Sequence, residues 1–329
     1  MENRIYNTKA LIEAGLITAI VVVITLINVY VPIFSLFGTY ILPIPITLLY
    51  IRHNYKVTLG AVFVSAILIS ILYNPLSALT SSILFGITGM TLGYCIKNDK
   101  KVSITMLILA IGLAIGTAIN FGIYISFIDT VGIVGFINNT LKTLRESIDM
   151  SKQLYIKLGV SSDQFAPIEK SLSLFTTEFV LKILPAGIII SSFVSAYLNY
   201  AITRSILKKL RYNIKEIVPF NKIYVNTRVG TIVVLFLIIG LLLSKSNMNL
   251  GGYLEVSSMF VLQFIFILDG LALAAYYLKY RFKISRLAIV LMLTFTVISQ
   301  LSVIYIFLGL ADMIVDFRKL DPYRRPKTE

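Results

Sequence analysis

Residues 204–228 read RSILKKLRYNIKEIVPFNKIYVNTR, and the fold turns on what this stretch is and what flanks it. Arg204, Lys208, Lys209, Arg211, Lys215, Lys222 and Arg228 are basic, against the single acid Glu216. Uncharged apolar runs lie on either side, Ile183–Thr203 before and Val229–Ser244 after. Translocating Lys and Arg across a bilayer is disfavoured, so a basic loop between two apolar runs predicts a cytoplasmic connector. It divides the chain into a front with six apolar stretches and a back with three.

Composition agrees. Of 329 residues, 57% are hydrophobic and only 14% charged, where a soluble chain carries about 25% charged residues. Too few polar groups exist to cover a water-soluble surface. The formal charge of +14 sits in short loops between apolar runs. That pattern is the positive-inside bias and no nucleic-acid partner is expected, since no aromatic-interleaved basic face accompanies it. One cysteine, Cys95, excludes an internal disulfide framework and a Cys-based metal cluster, and reads as a packed thiol near a helix end. Glu13 interrupts the first apolar run and no small-residue cleavage site follows, so this segment is expected to stay as a span.

From the N-terminus, Leu16–Gly38 is uncharged and makes a first span beginning near Ala10 and ending at Val31-Pro32. Phe37–Ile51 is shorter and carries Pro43 and Pro45, which predicts a kinked, tilted or re-entrant piece because proline removes helix hydrogen bonds. Arg52 to Lys56 form a tight inner turn. Val57–Ile96 has no charge and is about twice the length one crossing needs. It splits at Tyr73-Asn74-Pro75, where the proline and its predecessor disfavour continued helix. Val102–Ile128 is a fifth span. Asp129–Lys182 is a mixed-charge outer excursion in which Ile137, Leu141, Leu144, Ile148, Tyr155 and Leu158 keep helical spacing, as an amphipathic helix on the membrane surface would. A second helix is expected to start near Pro167 and run on into the sixth span.

Behind the connector come Val229–Ser244, Val256–Leu278 with Asp269 inside it, and Leu287–Ala311. Nine crossings from a cytoplasmic N-terminus would put the tail outside, although Arg318, Lys319, Arg324, Arg325 and Lys327 are basic. Either the tail is an exception or one run does not cross, Phe37–Ile51 and Val229–Ser244 being the shortest. The expected architecture is an all-α polytopic bundle of about nine spans, eight being possible. Residues 1–203 form a six-span front with the excursion at 129–172, residues 204–228 the connector, and residues 229–329 a three-span back.

The inventory for chemistry is thin. His53 is the single histidine, in a short loop, and no His, Cys or carboxylate cluster offers a metal site. No phosphate-cradling glycine loop is present. Catalytic residues, cofactor and metal are therefore expected to be absent, and the chain is not read as an enzyme. Ionisable residues inside a span are costly and point to function. Asp269 is the clearest: a proton relay, a partner for a cation on another helix, or a satisfied structural carboxylate. Glu13 can snorkel or pair with Lys9 one turn away. Glu178 and Lys182, four apart, can pair on one face, and with Asn74, Asn120 and Tyr124 they are the candidates for lining an outward pocket. Ala10 and Ala14 make a small-residue face that lets another helix approach closely.

The opening Thr8-Lys9-Ala10-Leu-Ile-Glu-Ala14, the Pro43-Ile44-Pro45 second span and six crossings with both ends inside resemble the S component of energy-coupling-factor vitamin transporters. In that family an Ala-xxx-Ala face on the first helix docks on a transmembrane coupling protein driven by two ATPases; Ala10 and Ala14 match it by position. The whole chain resembles the YybS-like family of bacterial membrane proteins, through Asp269-Gly-Leu-Ala, Tyr276-Tyr277-Leu-Lys279 and the closing Gly309-Leu-Ala-Asp312-Met-Ile-Val-Asp316-Phe-Arg318-Lys319. These resemblances imply a multi-pass protein of the bacterial cytoplasmic membrane that captures an unknown small solute, with a coupling protein and ATPases as possible partners beside the lipid bilayer. The other reading is a membrane scaffold or assembly factor acting through its basic cytoplasmic loops, without transport.

Overall fold

Proline and asparagine punctuate an otherwise helical chain. The computed structural model describes residues 2–127, 131–299 and 301–321, and of residues 2–7, 35 and 36 the backbone alone. Helix α1 (Glu2–Tyr30) stops before Pro32; α2 (Pro32–Ile41) and α3 (Pro43–Arg52) each open on a proline and meet at Leu42. The Phe37–Ile51 run thus covers the end of α2 and most of α3, interrupted at Leu42, where Pro43 cannot donate. Asn54 caps α4 (Tyr55–Leu72), and Asn74 followed by Pro75 opens α5 (Pro75–Lys97), as an N-cap with proline at the first helical position should. Helix α6 is Val102–Phe127; the expected end at Ile128 and the excursion's start at Asp129 lie outside the described residues.

The excursion is α7 (Gly132–Lys157) and α8 (Ala166–Leu174), followed by the long α9 (Thr177–Lys209). The helix starting near Pro167 does not run on into the sixth span: it ends at Leu174, and α9 begins anew after a break at Phe175-Thr176. Beyond the connector, α10 (Thr227–Lys245) and α11 (Asn249–Tyr280) form a hairpin, and α12 (Arg286–Ile298) and α13 (Ser302–Val315) follow.

Among the described residues seven helices are long and apolar enough to cross a membrane: α1 from Thr8, α4, α5, α6, α9, α10 and α11. The α12–α13 pair, bent by 110°, makes eight if counted as one span. The protein is an integral membrane protein built as an all-helical polytopic bundle. Among the described residues the count reaches the lower expectation of eight and not nine, partly because of a run expected to be straight. Leu287–Ala311 is broken between Ile298 and Ser302, whereas Val229–Ser244 sits inside one unbroken helix, α10. The tail residues Arg324, Arg325 and Lys327 lie outside the described residues.

The chain divides into two compact units, Met1–Asn139 with Ser191–Ile217, and Thr140–Ile190 with Val218–Glu329. In the first, Val21 and Val22 of α1 pack with Leu42, Ile46, Ile69 and Phe85, while Ala14 packs with Leu49 and Ala61. Thr47 Oγ1 crosses from α3 to the Gly89 carbonyl of α5 at 3.2 Å. Leu92, Leu109, Leu113, Ala196 and Tyr200 bring α5, α6 and the second half of α9 together. The start of the connector is tied down here: Tyr200 Oη donates to the Lys215 carbonyl (2.9 Å), Arg204 pairs with Glu216 (2.7 Å) and Lys215 with Asp99 (2.9 Å). In the second unit, α10, α11 and α13 form the packed centre.

Candidate functional site

Most polar side chains in the first unit's spans are Ser and Thr, and most of those bond back onto their own helices. Thr25 donates to Val21 O (2.8 Å), Ser81 to Ser77 O (2.7 Å) and Thr88 to Leu84 O (2.6 Å). Each hydroxyl has thereby spent its proton and keeps only acceptor capacity. These three, with Asn28, Thr39 and Ser77, face a cavity of about 200 Å³ whose remaining walls include Leu42, Ile69 and Phe85. Among the described residues no charged side chain lines it.

Asn28 is the group the sequence reading missed. Its carboxamide lies against Gly38, so closely that a Cβ at position 38 would collide with the amide. Its Nδ2 is buried and has no hydrogen-bond partner among the described residues. A buried unsatisfied donor costs roughly 1–3 kcal/mol, which makes this amide a group in want of an acceptor. The signal was an isolated asparagine near the end of an apolar run, ten positions before a glycine.

Of the expected pocket residues, Asn74, Asn120 and Tyr124 belong to the first unit and Glu178 and Lys182 to the second. Asn74 is an exposed cap that accepts from Leu76 N (2.9 Å) and Ser77 N (3.1 Å), next to the cavity residues Tyr73 and Ser77 but not in the wall. Asn120 Nδ2 ties α6 to the Thr80 carbonyl of α5 (3.0 Å). Tyr124 stacks edge-on against Phe136 at 5.3 Å. Glu178 and Lys182 pair at 2.6 Å, and the Lys182 carbonyl accepts from Ser257 Oγ (2.7 Å).

Glu13 does not pair with Lys9. It meets His53 Nε2 at 2.9 Å and Arg52 at 3.5 Å, joining α1 to the end of α3. Ala10 and Ala14 are buried, Ala14 against Leu49 and Ala61. The exposed face of α1 is instead Leu11, Ile12, Leu16, Ile20 and Val23.

The second unit holds a cluster drawn from distant parts of the chain. Arg318 Nη2 contacts Asp269 Oδ1 (2.6 Å) and Asp312 Oδ2 (2.7 Å), while its Nε donates to Asp312 Oδ2 (2.9 Å). Its Nη1 donates to the Ile223 carbonyl at 2.7 Å. All three ionised side chains have zero solvent exposure. Asp269 and Asp312 reach one guanidinium because α11 and α13 touch backbone to backbone. A Cβ on Gly270 would strike the Tyr305 carbonyl, and one on Gly309 the Phe266 carbonyl. Asp269 is paired, but its cation sits in the turn after α13 rather than on another helix, as the sequence suggested. The partner was invisible because it lies 49 positions away, in a charged tail.

Comparison with known proteins bears on the whole chain. A family model described as "Predicted membrane protein (DUF2232)" matches residues 19–313. The chain belongs to the DUF2232 family. It is similar to the uncharacterized protein YybS of Bacillus subtilis, 26% identical over 279 residues that cover 82% of this chain and 85% of that one. No solved structure matches. Asp269, Asp312, Asn28 and Gly38 all fall within the stretch matched to the DUF2232 model, while Arg318 lies just beyond it.

Proposed function

We propose that this DUF2232 protein is a membrane-embedded receptor for a small uncharged solute, bound in the cavity of its first unit, and that it serves uptake. The observation that carries this is the unpartnered Asn28 amide facing a wall of acceptor hydroxyls with no ionised side chain. A site of a few directional polar groups among apolar walls orients a ligand without requiring charge on it. The absence of lining charges disfavours carboxylates and phosphates as solutes. In this reading the N-terminus and connector face the cytoplasm, and a coupling protein supplying energy docks on a surface other than Ala10 and Ala14.

The test is thermal unfolding of the purified protein against a panel of uncharged vitamins, nucleosides and amides. A ligand that prefers the folded state raises apparent stability in proportion to ln(1 + [L]/Kd). Stabilisation by a panel member that is lost in Asn28→Leu supports the reading. Gly38→Ala, which pushes the amide aside, should weaken it too. Stabilisation that survives both substitutions places the solute elsewhere and removes the basis of the proposal.

A further inference from the structure

The second unit contains a larger cavity of different character. It measures about 530 Å³ and lies among α11, α12 and α13, walled by Leu273, Leu278, Met292, Leu293 and Ile304, with Phe317 closing one side. Its lining residues with polar side chains are Tyr277, Thr296 and Tyr305, and the hydroxyls of Thr296 and Tyr305 lie 2.5 Å apart, bonded to each other. Water needs two to four polar partners to occupy such a space, and apolar cavities stay dry. Within a membrane the filler at hand is hydrocarbon. At roughly 30 Å³ for a water-sized group, the volume accommodates on the order of fifteen chain carbons.

Positive charge is concentrated in the residues that follow one part of this wall in sequence. Leu278 of the wall is followed directly by Lys279, then by Arg281 and Lys283 in the turn, and Arg286 opens α12. Arg281, Lys283 and Arg286 are exposed. Arg286 precedes the wall residue Met292 by less than two helical turns, roughly 9 Å. No acidic residue occurs between Asp269 and Asp312, so nothing within that stretch offsets these four cations. A basic turn alone needs no explanation beyond membrane orientation. A basic turn continuous with the wall of an apolar, chain-sized cavity has the two parts of a lipid site, hydrocarbon and cations.

We propose that the α11–α13 cavity binds one acyl chain of an anionic phospholipid whose headgroup is held by Lys279, Arg281, Lys283 and Arg286. The site is separate from the solute cavity of the first unit and stands or falls independently of it. It also gives the 110° bend between α12 and α13 a role, since the cavity wall runs from Met292 through Thr296 to Leu301 and Ile304 around that bend.

The chain contains no tryptophan, which allows a direct measurement. Tyr277→Trp places a single fluorophore in the cavity wall by a conservative change. Leu16→Trp, at a position 61% exposed on α1, reports bulk lipid. Each full-length protein is reconstituted in phosphatidylcholine vesicles with increasing fractions of phosphatidylglycerol brominated on its acyl chains. Quenching of Leu16→Trp should follow the mole fraction. Quenching of Tyr277→Trp should saturate at a mole fraction on the order of tenfold lower, and Arg281→Gln/Lys283→Gln in that background should erase most of the difference. Three results overturn the proposal: both fluorophores following mole fraction alike, brominated phosphatidylcholine quenching Tyr277→Trp as effectively, or no quenching there at all.

Discussion

Replacing Arg318 by methionine should be among the most damaging single changes in the second unit, and the geometry says why its partners will behave differently. Two carboxylates share one guanidinium, and all three side chains have zero exposure. Removing the cation leaves two buried negative charges facing each other with no compensation. Breaking a buried pair from one side costs about 3–5 kcal/mol, and here two carboxylates are stranded at once, so the upper end applies. Two backbone carbonyls of the connector, those of Asn221 and Ile223, lose their donor as well. Asp269→Asn is milder, because it leaves Arg318 with Asp312 and turns a cluster of net charge −1 into a neutral pair. Its cost is one charged hydrogen bond, about 1.5–3 kcal/mol, partly offset by relief of the repulsion between the carboxylates. In detergent-solubilised protein followed by thermal aggregation and size exclusion, Arg318→Met should lower the midpoint by on the order of 10 °C and Asp269→Asn by a few degrees. The triple variant Arg318→Met/Asp269→Leu/Asp312→Leu should recover much of the loss, since whole buried ionic clusters can be exchanged for apolar packing at little net cost. If Asp269→Asn proves as damaging as Arg318→Met, or the triple variant is worse than Arg318→Met, the charge reasoning is wrong.

Gly309→Ala should destabilise by roughly 2–3 kcal/mol, because its new methyl meets the Phe266 backbone carbonyl rather than a side chain that can rotate away; the same thermal assay in wild-type background reads it. The orientation of the chain is open to cysteine labelling. Cys95 is buried, so the wild-type protein should react slowly with a membrane-impermeant maleimide. Lys157→Cys on the excursion should label in intact cells, and Lys209→Cys beside the connector only after the membrane is opened; the reverse pattern would invert the topology.

Much of the helical order was legible because charge and proline mark membrane proteins at intervals the bilayer sets. Tyr73-Asn74-Pro75 predicted the break between α4 and α5, and the structure puts Asn74 there as the cap. Pro43 marked the one-residue interruption at Leu42 that separates α2 from α3. The break in Leu287–Ala311 was illegible for the complementary reason: Ser299, Gln300 and Leu301 carry neither charge nor proline. The contents of the sites were harder still. Asn74 and Asn120 drew notice as amides near helix ends, and Asn74 Oδ1 and Asn120 Nδ2 are spent on the backbone. That leaves Asn120 Oδ1 buried without a partner among the described residues, whereas in Asn28 it is the donor Nδ2 that lacks one. Which amide is satisfied depends on the neighbouring helix, and a one-chain reading of periodicity carries no information on that neighbour. The pairing of Asp269 with Arg318 has the same character, since electrostatic partners across dozens of residues follow from packing at Gly270 and Gly309.

The distance in sequence between those partners has a consequence for how the chain is made. Asp269 lies in α11, and the cation it binds is synthesised 49 residues later. At roughly 5–20 residues per second, the carboxylate waits about 2–10 seconds after its own synthesis before Arg318 exists. During that interval the α10–α11 hairpin must hold an uncompensated acid, protonated or facing water, and cannot adopt its final seat against α13. Completion of the second unit is therefore timed by the arrival of its tail, and a stalled or clipped chain would carry an internal mark of its own incompleteness.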